Sequence, residues 1–582
     1  MAVPEPSQTR QKNVFVLCFD GTGNKFSGKD TDSNILKLYR MLDRTDVNMY
    51  TFYQPGIGTY VSSHSIQTTS TLGRIRSWYL KTKDEAVGTS FADHVMGGYK
   101  FLMRYYSCED DLYFFGFSRG AYTARFLAEM LDHIGLLAAG NEELIRFAWK
   151  TYAKWAARKN DGSDQAKKDE EEQYEFMRGF RETFSRPVRR IRFLGLFDTV
   201  NSVPRFESAW MQRSKFPYTA RSSAKVIRHA VSIDERRAKF RQDLVSGIQN
   251  QTEDHGRHHI RRYESDLLQM NEKAQAEKNH AEHTAQGGPK ITLTTSSGGQ
   301  LVVPGAELAS QSSSESLAAP MHSPSTEHLR ERAKSPRKHA RRRWSQPNRP
   351  QDVQEVWFAG GHGDIGGGWE KGDKEHWMLS HTPLVWMVHE AESAGLKFDP
   401  GYCFDGSNAC LDPTQELTCH SKMARLGCSP HAVDEFGEKI EDTTTRNSFH
   451  QTLENCYTDA TIHDCLKYNG GLPHGTVCFW KMMEYLPFRR MDLQDGKWKA
   501  IRWPLPMGET RDIPDDAQIH ISVIRRMQAD PTYRPGNLII GGGGRGVRRA
   551  PEKYGIGEWQ SHMWEGDIIK HTFVRKQPSS AD

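Results

Sequence analysis

No run of apolar residues in this chain approaches the ~20 that a bilayer-spanning helix needs. The segment before the first apolar run, Met1 to Asn13, is polar and carries Pro and Gln, so it does not read as a secretory signal. The expectation is a soluble, cytoplasmic protein. Charge of one sign is also missing: 78 Lys and Arg face 73 Asp and Glu, leaving +5 on 582 residues. That balance favours neither a nucleic-acid partner nor an acidic substrate. No C-x-x-C pair occurs among the nine cysteines, seven of which lie between Cys403 and Cys478, and an odd number cannot all pair within one chain. A disulfide framework is not expected in an intracellular setting. Cys419, His420, Cys428 and His431 could be combined into a zinc site, but small apolar fillers are the favoured reading of those cysteines. No cofactor and no metal are therefore expected. The Walker spacing is absent from Asp20-Gly21-Thr22-Gly23-Asn24, and Gly541 to Gly544 reads as a loop rather than a phosphate cradle.

What is present is enough apolar material for a sizeable core: 37% hydrophobic residues, 10% of the chain aromatic. In the amino-terminal half, short apolar runs alternate with helix-like segments, the pattern of a parallel sheet flanked by helices. Strands are expected at Val14 to Phe19, Asn48 to Tyr53, Asp111 to Phe117, Ile191 to Phe197 and Glu355 to Phe358. Helices are expected around Asn34 to Leu42, Ser90 to Tyr106, Ala121 to Ile134 and Leu384 to Ala394. Residues 142 to 185 read as an amphipathic cap in which Trp149, Tyr152 and Trp155 share a face. A lid touching lipid is the weaker reading of that cap.

The domain reading is a disordered terminus at 1–12 and a first core part at 13–265. A low-complexity basic insertion follows at 266–352, then a second core part at 353–400 and an irregular carboxyl-terminal region at 401–582. The insertion is rich in Ser, Gln and charge, buries too little to offset its ordering entropy, and ends in a basic cluster at Arg337 to Arg343. That cluster reads first as solubilising, with nuclear entry as an alternative.

Chemistry concentrates in Gly116-Phe117-Ser118-Arg119-Gly120-Ala121. A hydrophobic strand precedes this G-x-S-x-G and a helix with small residues follows, the context in which such a turn exposes a nucleophilic serine. A serine hydroxyl needs a base, and the base needs an acid to orient it. His229, His362 and His520 are the histidines that stand out from polar surroundings, and His362 sits best, at the end of a strand among glycines. Asp198 closes another strand and gives the order Ser, Asp, His; Asp364 with His520 is the rival pair. For the oxyanion, the backbone N–H of Arg119 and that of Gly21 or Thr22 are the candidate donors. Asp20, His362 and Asp364 could instead hold a metal, making a metal-dependent hydrolase.

Four segments in this order resemble a known family: Phe19-Asp20-Gly21-Thr22-Gly23-Asn24, the Ser118 turn, Phe197-Asp198-Thr199-Val200, and Trp357 to Gly368 around His362. Together they are similar to the DUF2235 α/β-hydrolases, which include the catalytic domains of Tle1-type phospholipase effectors of bacterial type VI secretion. Arg228 to Arg237 and the helix beginning at Leu379 also look like that family. The resemblance covers roughly 12 to 245 and 353 to 395. It implies an α/β-hydrolase-like fold, a triad of Ser118, Asp198 and His362, and ester hydrolysis with phospholipid as precedent. The Ser-Pro-containing insertion points to a fungal relative. The expected partner is a small-molecule or lipid ester, with transient membrane-surface contact and no specific nucleic acid; the sequence specifies no oligomeric state. A non-catalytic scaffold that keeps the fold is the alternative of a different class.

Overall fold

The computed structural model describes residues 12–56, 86–156, 164–200, 222–245, 351–398 and 443–576, apart from isolated positions within them. The cysteine-rich stretch around Cys419 and Cys428 and the basic insertion lie outside the described residues.

The strands β1 (Val14–Phe19), β2 (Met49–Gln54), β3 (Asp111–Phe117), β4 (Phe193–Phe197), β5 (Val226–Ser232) and β6 (Asp352–Phe358) are all parallel to their neighbours. Later in the chain come β7 (Thr510–Ile513), β8 (Gln518–His520), β9 (Trp559–Met563) and β10 (Thr572–Arg575). Among the described residues they build a nine-stranded sheet in the order β2-β1-β3-β4-β5-β6-β8-β10-β9, with β7 outside it. Strand β8 joins parallel to β6, whereas β10 and β9 are antiparallel at that edge. This is the mostly parallel, helix-flanked sheet of an α/β-hydrolase-like fold.

The period of two along each strand divides the core into two layers. Phe15, Leu17, Phe19, Leu112 and Phe114 pack beneath α2 (Ala86–Tyr105) and α3 (Arg119–Ile134), meeting Val95, Tyr99, Leu127 and Leu131. Their neighbours Val16, Cys18, Tyr113 and Phe115 face the other way, toward Ile35 and Leu38 of α1 (Asn34–Met41) and Leu384 and Met387 of a helix at His381–Ser393. Strands buried on both faces are continuous apolar runs for this reason. Two helices, Ile145–Ala156 and Asp164–Phe184, fill the expected cap region, and Tyr152 and Trp155 are buried in the first layer. A third cluster joins Val231 and Trp357 to Ile519, Val523 and Leu538, tying the carboxyl-terminal part to the middle of the sheet.

The approach of α3 to β1 depends on Gly120, where an added methyl would stand 2.2 Å from the Phe19 carbonyl oxygen. Gly120→Ala is expected to cost ~1–3 kcal/mol of stability, read as a lower urea midpoint. An unchanged midpoint would contradict this packing.

Candidate active site

The turn between β3 and α3 carries Ser118 at φ 59°, ψ −124°, a left-handed backbone that a residue with a Cβ adopts only under local constraint. Its N–H donates to the Phe197 carbonyl (3.0 Å) and its carbonyl accepts the first helical bond from Tyr122 (3.2 Å), so sheet and helix both hold the turn. The side chain is nearly buried and stands at the amino end of α3, where unsatisfied N–H groups favour negative charge.

His362 begins a short helix after β6, at His362–Gly366. Its Nε2 lies 2.8 Å from Ser118 Oγ, and its Nδ1 lies 2.5 Å from Asp198 Oδ2. With Nδ1–H donating to the carboxylate, Nε2 is left to accept the serine proton. The ring is held between Phe117 and Phe240, each with its centroid 4.8 Å away. Phe117 can lie so close only because position 366 is glycine; a Cβ there would fall 2.0 Å from its ring. Burial lowers the proton affinity of His362, while the bond to Asp198 opposes that shift.

Asp198, at the end of β4, is fully buried. Besides His362 it accepts from the Ser232 N–H (2.9 Å) and from both terminal nitrogens of Arg511, on β7 (2.6 and 2.9 Å). Burial pushes its carboxyl up, but Arg511 and His362 outweigh burial and hold it well below the usual carboxylate range. A second buried pair stands beside the histidine. Glu235 accepts the His362 backbone N–H (3.1 Å) and is bound twice by Arg237, whose guanidinium lies 3.7 Å above the Phe240 ring. Opposed by burial, Arg237 still brings Glu235 down to about 2.

The rival pair is not brought together. Asp364 stands three residues after Gly361 and accepts its N–H (2.8 Å), capping its own short helix. Its other oxygen faces His463 Nδ1 at 2.7 Å. His520 caps the helix Ile521–Ala529 through Nδ1 and donates Nε2–H to the Ile569 carbonyl (2.7 Å). His229 is also engaged: Nε2 accepts the Thr199 N–H (3.0 Å) and Nδ1 meets Glu355 (2.8 Å). That bond fixes the backbone directly after Asp198.

The metal set of Asp20, His362 and Asp364 does not converge either. Asp20 accepts from Gly21 N–H (2.6 Å), Ser33 Oγ (2.6 Å), Asn24 Nδ2 (2.8 Å) and Tyr53 Oη (2.8 Å), which makes it a pin for its loop. Among the described residues no group of three acidic, histidine or cysteine side chains could hold a metal ion. The Gly21 N–H, one of the expected oxyanion donors, is thereby engaged with Asp20. Thr22 and Arg119 remain. The Thr22 Oγ1 is buried with no hydrogen-bond partner among the described residues, and Gly21 lies against the Phe117 ring. Burial brings the Arg119 guanidinium down to about 10, and it has no carboxylate partner among the described residues.

Sequence reasoning missed Arg511, Glu235, Arg237 and Phe240. Three of these lie in or beside the Arg228–Arg237 stretch, which drew notice without a role. Arg511 sits in Thr510-Arg511-Asp512, which carries no motif.

Among the described residues no helix is long and apolar enough to cross a membrane. An uncharacterized protein of Saccharomyces cerevisiae, YEL023C, is 29% identical over 591 residues, covering 92% of this chain and 82% of that protein. Two solved structures are similar. An uncharacterized Pseudomonas aeruginosa protein is 16% identical over 68% of this chain, with a TM-score of 0.29. The Tle1 effector bound to the VgrG spike of the type 6 secretion system is 18% identical over 41%, with a TM-score of 0.22. The chain spans about half the length of each, 47% and 49%. A family model matches residues 13–390, the span holding Ser118, Asp198 and His362; the chain belongs to the Tle1-like phospholipase effector catalytic domain family, a family of lipase- and esterase-type hydrolases.

Proposed function

We propose that this chain is a serine hydrolase that cleaves carboxylic esters of lipids, phospholipids first, through an acyl-enzyme on Ser118. The observation that carries this reading is the continuous Ser118–His362–Asp198 hydrogen-bond chain inside a buried site. As Ser118 Oγ attacks the ester carbonyl, its proton passes to His362 Nε2, and Asp198 stabilises the imidazolium. The oxyanion is met by the backbone N–H groups of Arg119 and Thr22. Collapse of the tetrahedral adduct breaks the ester C–O bond, and His362 returns the proton to the leaving alcohol. Water, deprotonated by the same histidine, then releases the acid and restores Ser118.

Purified wild-type and Ser118→Ala proteins treated with a fluorophosphonate probe separate this reading from a non-catalytic scaffold. One adduct by intact mass on the wild type alone is expected. No adduct on folded wild type would contradict the assignment.

Asp20 acts in this account through the loop that presents Thr22. Asp20→Ala is expected to lose ~2–4 kcal/mol, since it leaves buried donors from Ser33, Tyr53 and Asn24 unpaired. Labelling should slow as well, and a chelator should leave the wild-type rate unaltered. Chelator-sensitive labelling would point instead to a metal ligand.

A further inference from the structure

The buried guanidinium of Arg511 is the part of the site that the hydrolase reading leaves unused. It is wholly buried, and each of its nitrogens is committed. Nη1 and Nη2 grip the two oxygens of Asp198, Nη1 also reaches the Ser232 carbonyl (3.2 Å), and Nε and Nη2 donate to the Phe240 carbonyl (Nε at 3.1 Å). Strand β7 is clamped to this segment on both sides of Arg511. Arg241 bonds the Thr510 carbonyl (2.8 Å), and Gln242 bonds the Asp512 carbonyl (3.0 Å). One residue therefore fixes both the acid that orients His362 and the backbone that presses Phe240 against its ring. It lies well outside the 13–390 span of the family model.

A backbone N–H could orient Asp198 equally well; a full positive charge does something more. The charged groups around His362 are Asp198 and Glu235, both negative, and Arg237, positive, with the Ser118 hydroxyl on Nε2, and Arg511 reaches the imidazole through its grip on Asp198. Asp364 stands on its own short helix and is turned to His463, which also faces Glu375. The two carboxylates near the imidazole are thus each matched by a guanidinium, and the imidazolium forms without a net negative neighbourhood.

We propose that Arg511 is a positioning residue that makes the carboxyl-terminal part of the chain a component of the catalytic machinery. It holds Asp198 in place and, by neutralising it, keeps His362 a weak base that stays unprotonated into the acidic range. This rests on the assignment of Ser118, His362 and Asp198. Burial contributes first to the lowered proton affinity of His362 and the Arg237 charge adds to it, while Arg511 acts by offsetting the opposing pull of Asp198.

The test is the pH dependence of the fluorophosphonate labelling rate, from about pH 4 to 9, for wild type, Arg511→Lys and Arg511→Gln. The wild-type rate should rise with pH to a plateau, with its midpoint below the ordinary histidine value of about 6.5. Arg511→Lys keeps the charge but loses the fork, so labelling should slow at an unmoved midpoint. Arg511→Gln removes the charge, and its midpoint should move up by about one pH unit. A slower Arg511→Gln protein with the wild-type midpoint would leave Arg511 a merely structural role and overturn the proposal. So would a wild-type midpoint at or above ~6.5, a result that needs no variant to fold. No wild-type labelling at any pH overturns the hydrolase reading and this proposal together. Labelling with unmoved midpoints overturns this proposal alone.

Discussion

Everything in the site depends on one buried carboxylate. Asp198 has no access to water, and an unpaired charge in such a place costs several kcal/mol. Its four donors come from His362, Ser232 and the two terminal nitrogens of Arg511, on three chain segments far apart in sequence. Removing any one of them leaves the others holding an undercompensated charge. The packing of β4, β5, β6 and β7 around that point is therefore as much an electrostatic requirement as a hydrophobic one.

The sheet delivers these groups because parallel neighbours end together. Ser118 follows β3, Asp198 follows β4, Glu235 follows β5 and His362 follows β6, all at the carboxyl ends of adjacent strands. The strain stored at Ser118 is held by the same order, since its N–H bonds to the end of β4. Aromatic packing completes the arrangement. Phe117 and Phe240 enclose the imidazole and limit it to the orientation in which Nδ1 meets Asp198.

Where an element's reason for existing was local, the sequence displayed it. Val14–Phe19 and Asp111–Phe117 are apolar along their whole length because both faces are buried, and they occupy the residues expected of them. The glycines around Ser118 and His362 marked sharp turns, so those two side chains could be singled out. Asp198 stood out because it closes a strand. The pairing of Asp364 with His520 failed for a local reason of another kind: a carboxylate three residues past Gly361 satisfies a helix end, and His520 does the same for its own helix. Long-range features left no such trace. Strands Gln518–His520 and Thr572–Arg575 are too short to show a period; the first takes its place in the sheet from β6 and the second from the first. Arg511 is one arginine among many, distinguished only by what folds around it.

We propose that the Asp198 carboxylate makes Ser118 nucleophilic through His362. The most direct test is the rate at which Asp198→Asn, with Arg511 intact, takes up a fluorophosphonate at Ser118. An amide preserves the shape but presents the wrong charge and favours the wrong tautomer of His362, so the rate should fall by roughly 10³–10⁴-fold in a folded protein. A variant that labels as fast as wild type would contradict the account.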